Sequence, residues 1–404
     1  MSLSDRVRAH PRAVALAVAA LLVANSLLLA SDRGHDPTLE RTLPGDAQPV
    51  VAAAGKVATL VRQGAFDHFV LVAAGATSDV DRFPADSVML AGAHSAYAIV
   101  AYADGASRAV HSLGREFVTE GRARGLAVGA QAAAVAFDDG RVVLLRDGNT
   151  TVVNAGATVT AMAFGDEPGP RPAFAYGTDR GRIEFWRAGS ANEERRSVRV
   201  DATIMHLALA QGGRWLLAGT LGADNAAHLF DLDDPAFGTP RWQHRTAHGA
   251  TLVFLSRDGE RAFVFTETPG RGLVQVLAVD DGALRWSHAA SGTVARLENG
   301  QGGVAVNADG TRVAVVSLSG DLVVLDGISG SELSRTALRG ATSLAFDGAV
   351  LAANGRWFGD PGYVRVLTVS DKEPLLRNAA LTVPAANVTI LAMLALYLLG
   401  RKGS

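Results

Sequence analysis

Histidine and carboxylate pairs are the groupings in this chain whose spacing suggests metal chemistry. His244 and His248 are four residues apart, a spacing that places two ligands on one face of a helix. They lie between strand-like runs, so the helical spacing does not apply and solvated histidines are the preferred interpretation. The carboxylates of residues 231–234 and 79–81 do not continue into the glycine-kinked, Glu-terminated loop of a calcium site, which favours turn aspartates. The sequence therefore predicts no metal site.

Sequence signatures of catalysis are missing as well. The chain contains no nucleophile elbow, Walker loop, dinucleotide fingerprint or zincin helix. It has no cysteine, which excludes disulfides, cysteine-bound zinc, iron–sulfur clusters and haem attached through cysteine. The net charge of −2 over 404 residues indicates no general attraction to nucleic acid. We therefore expect no enzyme activity, no cofactor and no nucleic-acid partner.

Short apolar runs separated by glycine-containing turns recur through the middle of the chain. The clearest unit begins at Thr251 and contains four runs, separated by turns at Asp258-Gly259, Pro269-Gly270 and Asp281-Gly282. β-Branched and aromatic runs bounded by such turns predict hairpins, because the turns need residues that tolerate positive φ. Four strands in succession predict one antiparallel meander.

The same pattern begins again at Gly303 and, less regularly, at five other places. These further starts lie near Ser87, Leu126, Val159, Ile204 and Thr342. Intervals of roughly 30 to 50 residues are typical of four-stranded propeller blades, which stack around an axis to bury both faces. We predict an all-β chain with a β-propeller of about seven blades over residues 49–370. The alternative of two β-sandwich domains does not account for the periodic turns.

The number of blades depends on the first strand-like runs of this region. Residues 56–74 carry two further runs, which either close the ring as added strands or belong to an eighth blade. Both possibilities keep the propeller architecture.

Short motifs within the repeats resemble known propeller families. Residues 274–286, a strand followed by Asp-Asp-Gly and a terminal Trp, resemble the repeat ending of quinoprotein-type propellers, and residues 325–333 and 232–242 are similar. The hairpins at Asp258-Gly259 and Asp309-Gly310 are equally typical of WD-repeat propellers. This resemblance implies the fold. A quinoprotein enzyme would further imply cofactor-stacking aromatics, calcium-binding carboxylates and often a vicinal cysteine pair. The cysteine pair is impossible in this chain, and no carboxylate can be matched to the family site.

Two uncharged apolar segments, residues 13–30 and 379–400, flank the repeats. Each is long enough to span the hydrocarbon core of a bilayer as a helix. Both have basic residues at their outer ends, at Arg6, Arg8 and Arg12 and at Arg401 and Lys402. We expect two transmembrane helices; a cleaved signal peptide is the alternative for the first.

The basic flanks also predict the topology. The positive-inside rule puts the tails, residues 1–12 and 401–404, in the cytoplasm. Polar linkers, residues 31–48 and 371–378, then connect the helices to a propeller on the extracytoplasmic side of the plasma membrane or an equivalent membrane.

Aromatic, basic and amide residues within the repeats are candidate contact sites. Five tryptophans occupy strand positions in successive blades and either pack between blades or anchor a partner: Trp186, Trp215, Trp242, Trp286 and Trp357. Asn149 begins an Asn-Thr-Thr glycosylation acceptor, predicted in a turn and usable if the host glycosylates secreted proteins. The pair Arg195-Arg196 is predicted at a solvated hairpin tip.

These features together favour an interaction protein. We expect a non-enzymatic, membrane-anchored, extracytoplasmic β-propeller that acts as a scaffold or accessory subunit of a larger complex of membrane proteins. The short tails and the lack of catalytic residues support this expectation. The alternatives are a quinoprotein-type enzyme or small-ligand-binding propeller, and an envelope protein-assembly factor.

Overall fold

The periodic turns of the sequence correspond to a chain built almost entirely of β-strands. A computed structural model describes the backbone of residues 38–369 with gaps, and the side chains of His68 and of most residues from 121 onward. The gaps fall at residues 45–50, 54–55, 64–65, 74–75, 85–87, 95–96, 103–105, 112–115, 130–131, 147–148, 166–172, 189–192, 236, 251, 295–301 and 356–362. Within the described residues the only helical element is a 3-10 turn, Gln211–Gly213.

The described strands form eight four-stranded antiparallel sheets, which we number as blades 1 to 8. Blade 1 contains β2 (Val51–Ala53), β3 (Lys56–Gln63), β4 (Phe66–Ala73) and β5 (Ala76–Pro84). Blade 2 contains β6 (Val88–His94), β7 (Tyr97–Tyr102), β8 (Ala106–His111) and β9 (Glu116–Glu120). Blade 3 contains β10 (Ala123–Val128), β11 (Ala132–Phe137), β12 (Arg141–Arg146) and β13 (Asn149–Asn154). Blade 4 contains β14 (Val159–Phe164), β15 (Ala173–Thr178), β16 (Arg182–Ala188) and β17 (Glu193–Arg199).

The second half of the ring repeats this order. Blade 5 contains β18 (Thr203–Ala210), β19 (Trp215–Leu221), β20 (Ala226–Asp231) and β21 (Trp242–Arg245). Blade 6 contains β22 (Leu252–Leu255), β23 (Arg261–Thr268), β24 (Arg271–Ala278) and β25 (Leu284–Ala289). Blade 7 contains β26 (Val304–Val306), β27 (Arg312–Val316), β28 (Asp321–Asp326) and β29 (Glu332–Ala337). Blade 8 contains β30 (Ala341–Asp347), β31 (Val350–Gly355), β32 (Tyr363–Thr368) and β1 (Thr38–Pro44).

All seven blade starts predicted from the sequence are confirmed. Each lies within three residues of the first strand of a blade, from β6 through β30. The runs in residues 56–74 are β3 and β4, so they belong to an eighth blade and do not close the ring. Of the two predicted counts, seven or eight blades, the structure has eight, and eight four-stranded sheets replace the β-sandwich alternative.

The ring closes through β1, which pairs antiparallel with β32 as the outermost strand of blade 8. This strand lies inside residues 31–48, which the sequence predicted as a linker, and that assignment is wrong for residues 38–44. An outermost strand is half solvated and needs few apolar residues, so its pattern was weak beside Pro37, Pro44 and Gly45. Thr38–Thr368 forms one compact unit.

Packing between neighbouring blades buries the central strands on both faces. All six residues of β11 and of β15 are buried, whereas five of the six residues of β13 are exposed. Ile183 and Phe185 of blade 4 share one apolar cluster with Ile204, Leu207 and Phe230 of blade 5. The first strand of each blade is the innermost, as shown by β14 lying beside β10 and β18. From blade 3 to blade 7, where the side chains are described, the hydrophobic core therefore runs between neighbouring blades.

Asp-Gly turns take the conformation that the sequence predicted for them. Gly259 and Gly310 have φ of 67° and 68°, a left-handed conformation that side chains disfavour. The preceding aspartates stabilise the turns, since Oδ1 of Asp258 accepts the N–H of Glu260 at 3.0 Å and Asp309 makes the same 3.0 Å contact two residues on.

The two segments predicted to span a membrane, residues 13–30 and 379–400, lie outside the described residues, as do the predicted tails and the linker at 371–378. Across the described ranges, no helix has the length and apolar character needed to cross a bilayer.

Removal of β1 tests the closure of the ring. A chain that begins at residue 45 should unfold with a free energy lower by about 3 kcal/mol or more, because several ladder hydrogen bonds worth roughly 1 kcal/mol each are lost. A chain that begins at residue 38 keeps the strand and is the control. Urea unfolding monitored by circular dichroism gives the comparison, and equal stability of the two chains would contradict closure by β1.

Candidate functional site

A groove of about 520 Å³ lies between blades 3 and 4 and is lined by three arginines. One wall is the link between the blades, Ala155, Gly156 and Ala157. The other is the edge of blade 4, with the residues Thr178, Arg180, Arg182, Ser197, Val198 and Arg199. The turn between the second and third strands of a blade lies on the same side of the ring as the links between blades. This topology brings residues from three separate stretches of sequence to one groove.

The turn after β15 holds Arg180 at its tip. Gly181 has φ of 75°, and a Cβ atom there would lie 2.0 Å from the carbonyl oxygen of Val200, so glycine is required. The hydroxyl of Thr178 accepts the N–H of Arg182 at 3.0 Å and fixes the start of β16. Arg180 therefore extends from a fixed turn, with Arg182 at the start of the strand that follows it.

Arg182 and Arg199 lie directly opposite each other on the neighbouring strands β16 and β17. Like charges at opposed positions of a sheet are destabilising. A carboxylate compensates for part of this charge: Glu184 accepts hydrogen bonds from both Arg182 and the Tyr176 hydroxyl. The opposed arginines therefore lower the stability of the sheet, and such local destabilisation is expected at functional sites.

Tyr176 is held in its protonated, hydrogen-bond-donating form. Its ring is fully buried, and burial raises the pKa of the hydroxyl well above its ordinary value, with a further contribution from the neighbouring Glu184 carboxylate. Glu184 is thereby committed to Tyr176 and Arg182. It has little capacity left to neutralise the other arginines of the groove.

Arg180 and Arg199 have no ion-pair partner among the residues that the structure describes. Both are exposed at the groove. Guanidinium groups bind carboxylates and phosphates with paired hydrogen bonds. The described residues that line the groove include three arginines and no carboxylate or histidine, an arrangement suited to binding a negatively charged group.

This groove is not evident from the sequence. Six arginines within residues 180–199 were an available signal: Arg180, Arg182, Arg187, Arg195, Arg196 and Arg199. The pair Arg195-Arg196 was predicted at a hairpin tip, which is wrong, since both residues lie on β17. Arg195 covers the ring of Trp186 at 4.4 Å, and Arg196 donates to Glu194 at 2.6 Å.

The described tryptophans pack within the ring. Trp186 and Trp215 are each 3% exposed, and Trp242 is 9% exposed. These three therefore have no surface to offer a partner, and the packing interpretation holds for them. Trp286 is half-buried, and Trp357 lies outside the described residues.

Trp242 and Trp286 make the same contact at successive blade boundaries. The indole N–H of Trp242 donates to the carbonyl of Val279 at 2.7 Å, and that of Trp286 donates to Gly327 at 3.2 Å. Each ring lies against a glycine of the next blade, where a Cβ would come within 2.9 Å at Gly282 and 2.6 Å at Gly330. The outer strand of one blade is thus hydrogen-bonded to, and packed against, the turn that precedes the outer strand of the next blade.

Asn149 is the first residue of β13 and is exposed. The sequence placed it in a turn, but it lies on the outer strand of blade 3, where it pairs with Arg146. Its glycosylation stays a prediction.

The histidine and aspartate groupings fall on ordinary structural positions. His244 lies on β21 with Nε2 3.4 Å from the Gln275 amide oxygen, and His248 is exposed beyond the strand. Asp231 accepts the N–H of Asp233 at 3.0 Å, as in the Asp-Gly turns. No cluster of metal-binding side chains occurs in the part of the chain with described side chains.

Comparison with solved structures identifies the class of fold. The chain resembles BamB from Moraxella catarrhalis with a TM-score of 0.60 at 16% identity, over 83% of this chain and 99% of that one. It resembles the computationally designed Ika8 protein with a TM-score of 0.57 at 15% identity, over 83% and 100% of the two chains. The chain is a β-propeller.

A third similar structure agrees. The β-propeller domain of Cps50 (Swd1) from Myceliophteria thermophila matches with a TM-score of 0.50 at 15% identity, over 71% of this chain and 98% of that domain. At these identities the likeness shows the fold alone. No protein-family model and no curated protein matches the sequence.

Substitution of Trp242 by Phe tests the indole hydrogen bond between blades 5 and 6. The variant keeps an aromatic ring but leaves the Val279 carbonyl without its indole donor, so the free energy of unfolding should fall by about 1–3 kcal/mol. Trp286→Phe is the control and should lose less, because Trp286 is half-buried and its bond is longer. Urea unfolding of both variants measures the difference; a larger loss for Trp286→Phe would contradict the assignment.

His228 should make stability depend on pH. Its side chain is 4% exposed, and Nε2 lies 3.0 Å from Oδ2 of Asp224 without the alignment of a good hydrogen bond. Burial lowers its pKa below the ordinary 6.5, with Asp224 opposing the shift. The unfolded chain therefore binds the proton more readily, and stability is lost as pH falls below about 6.5.

The measurement compares the free energy of unfolding at pH 7.5 and pH 5.5. The decrease should be smaller in His228→Gln than in the wild-type protein. His248→Gln, which changes an exposed histidine, should keep the wild-type decrease. Equal decreases in all three proteins would exclude His228 as a source of the pH dependence.

Proposed function

We propose that this protein is a non-enzymatic interaction propeller that holds a partner protein in a larger membrane assembly. The observation that carries the proposal is the groove between blades 3 and 4, where Arg180 and Arg199 have no ion-pair partner among the described residues. Unneutralised guanidinium groups on a rigid scaffold favour binding of a negatively charged surface. The partner is expected to present carboxylates.

The rigidity of the ring supports this use. Buried clusters between blades and the indole hydrogen bonds of Trp242 and Trp286 fix the blades relative to one another. A pre-organised site loses little conformational freedom on binding. The groove can therefore recognise a partner without rearrangement of the blades.

The membrane anchor of the proposal rests on the sequence. Residues 13–30 and 379–400 are uncharged and carry basic residues at their outer ends, which favours two spanning helices with the propeller outside the cytoplasm. The partners are then expected to be other subunits of a membrane protein complex. Likeness to BamB and Cps50 (Swd1) supports a propeller scaffold but does not name a partner.

Charge reversal in the groove tests the interaction. Tagged full-length protein carrying Arg180→Glu and Arg199→Glu, purified in mild detergent from its native membrane, should retain at least tenfold less partner than the wild type, because attraction becomes repulsion. The partner is quantified by mass spectrometry. Increasing salt should weaken the wild-type complex.

Arg245→Glu with Arg271→Glu is the matched control. Both arginines are exposed on the same side of the ring, in blades 5 and 6, and the charge change is identical. Equal losses in both double variants would contradict the groove, and a wild-type protein that retains no partner would contradict the proposed function. Recovery of the whole chain without detergent would contradict the membrane anchor.

A further inference from the structure

The outer strand of blade 3 has an unprotected edge. β13 pairs with β12 along all six residues, from Arg146 opposite Asn149 to Arg141 opposite Asn154. No strand pairs with its other edge among the described residues. An edge of this kind presents a row of backbone donors and acceptors that can extend the sheet.

β13 differs from the other seven outer strands in composition. Its sequence, Asn-Thr-Thr-Val-Val-Asn, contains no charged residue, glycine or proline. Each of the other outer strands, β1, β5, β9, β17, β21, β25 and β29, contains at least one charged residue, and β1 and β5 also contain proline. Charges and prolines are the usual protection of sheet edges against pairing with other chains. Only this outer strand lacks that protection.

The side chains of β13 are suited to strand pairing. Four of its six residues are Thr or Val, the β-branched types that favour extended backbone. Five residues are exposed, and Val152, at 58% exposure, is among the most exposed large apolar residues of the described chain. An added strand would cover this valine.

We propose that β13 accepts an extended segment of a partner protein as a fifth strand of blade 3. This inference rests on the proposed function and names the second surface by which the partner is held. The added strand would gain main-chain hydrogen bonds along β13, the mode of recognition known as strand addition.

The position of the groove indicates what that segment carries. Beyond Asn154 the chain continues directly into Ala155, Gly156 and Ala157, which form one wall of the arginine groove. A segment paired with β13 therefore leaves the strand beside Arg180 and Arg199. Acidic residues flanking a short β-forming stretch are the complement of this surface.

A second copy of this chain is the competing occupant. Antiparallel pairing of two β13 strands would bring the residues that precede β13 toward the residues that follow it in the other copy; those preceding residues include one positive and one negative residue, Arg146 and Asp147. Their charges cancel, whereas a segment with acidic residues alone is complementary to the arginine-lined groove. Charge complementarity thus favours an acidic segment from a different protein.

Photo-crosslinking in the native host tests the location. A benzoylphenylalanine in place of Val152 in the full-length protein should give one discrete adduct with another polypeptide. The same group in place of Ser287, an exposed residue of the outer strand β25, should give none. An adduct of two copies of this 41.9 kDa chain would overturn the proposal in favour of self-association. Equal adducts from both positions would exclude a specific edge.

A charged side chain tests the pairing itself. Val152→Lys should reduce the co-purified partner at least tenfold, because it protects the edge as the other outer strands are protected. Val152→Thr keeps a neutral β-branched side chain and should bind like the wild type. Both variants leave the acceptor sequence at Asn149 intact. Thermal unfolding of each variant checks that the ring is folded.

Hydrogen exchange distinguishes strand addition from a side-chain contact. Backbone amides of residues 149–154 should exchange at least tenfold more slowly in the purified complex than in the isolated protein. Unchanged exchange, or full partner binding by Val152→Lys, overturns the inference. The proposed function still stands in that case if the double variant Arg180→Glu with Arg199→Glu loses the partner. If every variant keeps the partner, both the inference and the proposed function are rejected.

Discussion

Burial of both faces of each four-stranded sheet is the constraint on which the rest of this structure depends. A meander such as β14–β17 has apolar residues on both faces, and each face needs a neighbouring sheet to exclude water. A ring of blades supplies two neighbours to every sheet. The ring is complete only if the first and last blades also meet, as β2 of blade 1 and β30 of blade 8 do. The strand β1 precedes blade 1 in the chain and pairs with β32 of blade 8, so it joins the two ends of the ring.

The repeat was predictable because its signals are local. Asp-Gly turns and β-branched runs lie within about ten residues of each other, and turns such as Asp258-Gly259 take their conformation from those residues alone. The closing strand β1 was not predictable in this way. Its partner lies more than 300 residues away, and its own sequence, Thr-Leu-Glu-Arg-Thr-Leu-Pro, resembles a polar linker.

The groove was missed for a related reason. Arg182 and Arg199 are 17 residues apart in sequence and become direct neighbours only through the register of β16 with β17. The cluster of arginines is visible in the sequence, but the same composition would fit a solvated strand face. The difference between the two lies in Glu184, whose carboxylate is hydrogen-bonded to Tyr176 and does not neutralise the other arginines. That hydrogen bond depends on the fold. Trp242 and Trp286 carried a more local signal, since each follows a turn and lies on the last strand of its blade.

The unprotected edge of β13 and the groove beside it together determine which segments the protein would bind. A neutral edge with β-branched residues would pair with many extended chains, because main-chain hydrogen bonds carry little sequence information. The arginines beyond its end add the missing selectivity, since a segment without acidic residues would bury unpaired guanidinium groups there. The other seven outer strands all contain charged residues, which disfavours pairing elsewhere on the ring. Edge and groove are thus more selective as a pair than either would be alone.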